Sequence, residues 1–198
     1  MSEMVIQSTI KPLQWIYAII IALSIGEAFK EFVSSSDAAP SMRGIHWERL
    51  PSLVSMMILV IPFYHGMARY FCGMYCAYGI DTSYGKWLLF DCIVFTTEAG
   101  LFFVLARSLP RQLWWRFSLV VMILLCLDIE WGGLIWKYRT ASISNWVLVN
   151  LWTVPCLGAV LLGFRKSTSW WPILLTSLII FARTSVDYLT GWEFYFPK

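Results

Sequence analysis

Residues 87–107 read WLLFDCIVFTTEAGLFFVLAR. Trp87 opens the stretch and Arg107 closes it, and the length between them matches the roughly 20 helical residues that cross a bilayer core. Yet Asp91 and Glu98 interrupt it. A charge near the bilayer centre costs roughly 2.5–3.5 kcal/mol even on the mildest scale, so each needs a partner or a purpose. Working outward, five more stretches have the same character: Pro12–Phe32, Leu50–Tyr75, Trp114–Trp136, Trp146–Phe164 and Trp170–Tyr188.

Composition agrees with that reading. Of 198 residues 59% are hydrophobic and 14% charged, against about 25% charged in a typical soluble domain. Twelve Trp, nine Tyr and thirteen Phe suit a chain with two membrane interfaces, where aromatic rings collect. Six spans of about 20 residues leave only short loops and termini. The expected fold is therefore an all-α integral membrane bundle of six transmembrane helices, one domain over residues 1–198, with no separate soluble part. A net charge of +3 with no basic run beyond Arg165-Lys166 predicts no direct nucleic-acid binding.

The first span reads as a retained helix rather than a cleaved signal, because a single Lys11 makes a poor basic leader and the helical pattern runs on through Glu27, Lys30 and Glu31. The cysteines, Cys72, Cys76, Cys92, Cys126 and Cys156, are odd in number and lack a CxxC, which points to packing rather than disulfides or zinc. The longest polar stretch is Val33–Arg49, and the aromatic tail around Trp192, Phe194, Tyr195 and Phe196 is expected at the interface. Positive charge does not orient the chain: Lys11, Lys86, Lys137, Arg139 and Lys198 fall on the side of the termini, and Arg43, Arg49, Arg107, Arg111, Arg116, Arg165 and Lys166 on the other.

Helical rise turns position into depth at about 1.5 Å per residue. Measured from span midpoints, Arg69 lies about 9 Å towards the side of the termini, with Asp91 at a similar depth. Asp128 comes out near 4–5 Å, Asn150 near 7–8 Å and Arg183 near 6 Å on that side, with Asp187 one turn further. His65 and Glu98 lie within about 3 Å of the midplane. If the second and third helices are antiparallel neighbours, Arg69 meets Asp91 and His65 meets Glu98. Glu27 and Lys30 belong to an interface-level set, and Glu130 has no place in the scheme. The layer is either a paired network that fixes helix partners or a polar path for a proton or small ion.

Enzyme signatures are absent: no GxSxG, HExxH, P-loop or GxGxxG occurs. Tyr64 beside His65 is the best nucleophile on offer for a lipid-directed enzyme, the third reading. No cofactor or metal is expected.

The stretch Phe63-Tyr64-His65-Gly66 with Arg69-Tyr70, then Asp91, Asp128 with Trp131, and Asn145-Trp146 with Asn150, resembles small multi-span proteins of prokaryotic antiviral loci. These are the membrane accessory proteins of type VI-B CRISPR systems and their relatives in adenosine-deaminase-based defence. The resemblance spans about residues 55–155 and implies a non-enzymatic protein of the prokaryotic cell membrane. Such a protein would perturb the envelope or tune a cytosolic effector. The leading expectation for this chain is an oligomeric pore of its own copies or a defence accessory, with the lipid bilayer as a partner.

Overall fold

A computed structural model of the chain describes residues 3–33, 35–36, 39–76, 87–134, 141–165 and 167–197. The fold is an all-α bundle. Its helices are α1 (Glu3–Phe32), α2 (Leu50–Phe71), α3 (Leu88–Ala106), α4 (Trp114–Leu134), α5 (Ala141–Gly163), α6 (Trp171–Thr190) and the short α7 (Trp192–Tyr195). A π-helical turn, Cys72–Cys76, extends α2. Among the described residues, six helical segments are long and apolar enough to cross a membrane: Ile10–Phe32, Trp47–Phe71, Leu88–Ala106, Arg111–Leu134, Ser144–Gly163 and Trp171–Thr190. By length and composition the chain is a multi-pass integral membrane protein.

Helices are the natural solution where lipid offers the backbone no hydrogen bonds. Pro51 and Pro172 lie in first turns, where a missing N–H costs nothing. Hydroxyls inside the spans bond back to their own helices, as Ser55 does to the Pro51 carbonyl (2.7 Å) and Thr153 to that of Val149 (2.7 Å). Large apolar side chains face outward: Leu162 is 79%, Leu189 75% and Leu89 72% exposed, as suits helices of membrane-spanning length and composition.

Helix α1 starts at Glu3, before the expected Pro12, and α2 gives way to its π turn at Cys72, before the expected end at Tyr75. The expected connection Ser142–Asn145 is instead the first turn of α5. Part of the stretch from Val33 to Arg49 forms a short antiparallel ladder, Ser35–Ser36 against Ala39–Arg43. The turns read at Gly79–Gly85 and Lys137–Arg139 lie outside the described residues.

Helices α2, α3, α4 and α6 surround the middle of the bundle, each packed on the next. Helix α1 fills the seam between α2 and α3, and α5 the seam between α4 and α6. This order differs from the sequence expectation that α2 and α3 are the principal partners. Helix α3 lies chiefly along α1, and α2 along α6, because α1 wedges between helices that are consecutive in the chain.

One close approach holds α2 to α5. A Cβ at Gly66 would stand 3.2 Å from Cζ2 and 3.3 Å from Cη2 of Trp146, so the indole edge occupies the space that any side chain would need. Gly66→Val should therefore destabilise the bundle by about 1–3 kcal/mol through overpacking. Thermal unfolding in detergent checks this, with Gly100→Val, which meets open space, as the comparison.

Candidate functional site: a buried polar cluster

The polar cluster is assembled from the ends of α4, α5 and α6 that lie nearest α7. Arg183 of α6 is 5% exposed. Its Nε donates to Asn150 Oδ1 (3.0 Å) and its Nη1 to Asp187 Oδ2 (3.0 Å). Its guanidinium carbon lies 5.2 Å from the centre of the Phe63 ring, within cation–π range. Asn150 in turn donates to Asp128 Oδ2. Tyr195 of α7 donates to Asp187 Oδ2 (3.0 Å). One hydrogen-bonded run thus joins Tyr195, Asp187, Arg183, Asn150 and Asp128 across four elements.

Glu98, 1% exposed, approaches from α3. It lines the same central cavity as Asp128, Arg183, Asp187 and Tyr195. The cavity holds about 20 Å³, enough for one water molecule. Two carboxyl oxygens that belong to this region, Glu98 Oε1 and Asp187 Oδ1, make no hydrogen bond among the described residues, and neither does Trp146 Nε1. Three carboxyl groups therefore face a single guanidinium.

Asp91 occupies a different site on the same helix. Fully buried, it accepts from Tyr70 (2.8 Å) and Tyr75 (2.6 Å) at Oδ2 and from the Trp131 indole (2.9 Å) at Oδ1. Phe71 and Phe95 pack around these rings. The site ties α2, its π turn and α4 to α3.

The expected pairings across α2 and α3 do not form. Arg69 Nε donates to the Phe194 carbonyl (3.0 Å). His65 Nδ1 meets the Tyr188 hydroxyl (3.3 Å), and its ring packs on Tyr195 and Phe196. Both side chains thus serve the turn after α6, while Asp91 and Glu98 face elsewhere. Of the interface-level set, Glu27 pairs with Lys30 (3.3 Å) and Arg107 (3.6 Å), and Glu31 with Arg49 (3.2 Å). These pairs tie α1 to the end of α3 and the start of α2. Glu130 is exposed on α4.

Within the aromatic tail Trp192 and Phe196 are exposed, whereas Tyr195 is buried against the bundle. Gly191 ends α6 and lets the chain turn inward, since a Cβ there would stand 2.9 Å from the Asp187 carbonyl oxygen. Tyr195 is then 3% exposed and stacks near Trp146 and Tyr188. Nothing in the residue types marks Tyr195 as a core group. Tyr75 is equally unmarked in the sequence, and both close a buried carboxylate.

No family model, curated protein or solved structure matches this chain.

Burial pushes the Tyr75 phenol well above its ordinary value, and the Asp91 carboxylate that it bonds adds to the shift. Burial does the same to Tyr195, with Asp187 next in effect and Arg183 opposing. Both folded values are raised, so the folded protein keeps two protons that the unfolded chain releases above about pH 10. The associated stability is full below that pH and is lost as pH rises towards the folded values. Unfolding midpoints should fall between about pH 9 and pH 11, and less steeply in Tyr75→Phe and Tyr195→Phe. Equal slopes in all three proteins would contradict this.

Proposed function

We propose that this is a non-enzymatic multi-pass membrane protein that moves protons or a small cation through the core of a single bundle. The observation that carries the reading is the excess of carboxyl groups at the central cavity. Glu98, Asp128 and Asp187 line it with one guanidinium, and two of their oxygens lack a partner among the described residues. Charge balance calls for protons or a bound cation at these oxygens, because an uncompensated buried charge is strongly destabilising. Intramembrane carboxyl groups in such surroundings serve as relay stations.

The chemistry needs little of the protein beyond placement. Asn150 and Arg183 hold Asp128 and Asp187 fixed, a water-sized space adjoins Glu98, and the Tyr195 hydroxyl reaches Asp187 from the end of the bundle. His65 enters only through its packing on Tyr195 and Tyr188, so the relay of the expected midplane pair passes to Glu98 and Asp128. In proteoliposomes carrying a pH-sensitive dye, wild type should dissipate an imposed proton or cation gradient. Glu98→Gln and Asp128→Asn should slow that flux about a hundredfold, the scale of losing a positioned proton-transfer group, while inserting normally. Wild-type flux no greater than that of empty vesicles sinks the reading.

A second reading, a membrane accessory of an antiviral locus, draws on one observation. Residues that carry the resemblance meet in the core: Tyr70, Asp91 and Trp131 around one carboxylate, Gly66 against Trp146, and Asn150 on Asp128. In this reading the chain perturbs the envelope when its locus is triggered. An oligomeric pore suits the geometry less well, since the charged groups face the interior of one chain and outward positions such as Trp152 and Leu162 are apolar. Induced expression should depolarise bacterial cells, as reported by a potential-sensitive dye, and Asp128→Asn should abolish the effect. Unchanged potential with confirmed insertion excludes it.

A further inference from the structure

A second cavity lies at the end of the bundle where α4 and α6 begin. Arg111, Gln112 and Trp114 form one wall, and Ser167 and Thr168 the other, around about 320 Å³. That volume falls at the lower end of small-ligand sites.

The walls are held in place by their own contacts. The Arg111 guanidinium lies 4.5 Å over the Trp170 ring and donates through Nη2 to the Thr168 carbonyl. The Trp114 indole donates to the Ser167 carbonyl (3.2 Å), and the Ser167 and Ser169 hydroxyls bond one another (2.7 Å). A guanidinium has five N–H donors in a fixed fork, and the Thr168 carbonyl takes one. Gln112 and Thr168 line the same space.

No Asp or Glu among the described residues lines the cavity. Among the described residues, no carboxylate lies within ion-pair distance of Arg111. Arg116 and Arg165, both exposed at the same end, add positive potential. Donors and positive charge without acceptor charge favour an anion, and a forked guanidinium matches a phosphoryl group in particular.

Depth narrows the source. The apolar spans begin at Arg111 and Trp171, and Trp115, Trp170 and Trp171 are exposed beside them, as interfacial aromatic residues are. The cavity therefore opens at headgroup level, where basic pockets between helices take anionic lipid. We infer that the cavity between the start of α4 and the turn into α6 binds a phosphoryl group, carried by an anionic lipid headgroup. This site lies apart from the central cluster and is independent of the proposed transport.

The test uses the full chain in a neutral detergent. Thermal midpoints are compared with added phosphatidic acid, with diacylglycerol of the same acyl chains, and with inorganic phosphate. At about tenfold excess over the dissociation constant, phosphatidic acid should raise the midpoint by about 3–5 °C, and diacylglycerol should not. Arg111→Gln should remove the shift. Gln112→Leu, which leaves the contacts of Arg111 in place, should reduce it and carries the test if Arg111→Gln fails to fold. A matching, Arg111-dependent shift with inorganic phosphate supports the phosphoryl site but assigns it to a free anion. Equal shifts with phosphatidic acid and diacylglycerol, or a full shift in both variants, overturn the site.

Discussion

A guanidinium buried among helices must have its donors met within the protein, and Arg183 meets this demand with groups from two helices. Asp187 stands one turn along α6, and Asn150 reaches across from α5. Through Asn150 the demand passes to Asp128 on α4, and through Asp187 to Tyr195 on α7. Lipid tails are as apolar as leucine, so hydrophobic burial does little to choose which helix faces meet inside a membrane. In this bundle the polar run around Arg183 links α4, α5, α6 and α7 by hydrogen bonds.

The two acids of α3 show how one helix carries two kinds of carboxyl group. Asp91 and Glu98 stand two turns apart on the same face. Three donors close Asp91 within a shell of aromatic rings, which makes it a joint between α2, α3 and α4. Glu98 adjoins a water-sized space, and its Oε1 has no hydrogen-bond partner among the described residues. Neighbourhood separates the two: donors meet both oxygens of the first, while the second keeps an oxygen towards the cavity region.

Much of the fold was legible because span length and hydropathy are local properties, and six apolar segments can be counted without knowing how they pack. Depth was also legible, since helical rise is fixed. Asp128, Asn150, Arg183 and Asp187 fall at one level in the sequence and are joined in the structure. Depth is only one coordinate, however. Arg69 and Asp91 share a level but face different neighbours: α2 turns Tyr70 to Asp91 and Arg69 to α7, and no local pattern reports which face meets which helix. Tyr195 was read as an interfacial ring for a related reason. Its inward course depends on the turn at Gly191 and on a carboxylate eight residues earlier, and residue type reveals neither.

The place of Arg183 and Tyr195 along the chain has a consequence for assembly. A ribosome delivers α3 and α4 to the bilayer well before α6 and α7, so Glu98 and Asp128 arrive while their cation has yet to be synthesised. Until α6 inserts, the nascent bundle holds acids without their guanidinium, and until α7 turns in, Asp187 lacks its phenol. A chain arrested early would thus differ from a finished one inside the bundle, where Glu98 and Asp128 would lack the neighbouring guanidinium of Arg183. Completion is recorded where no soluble chaperone can reach it, in the ionic make-up of the core.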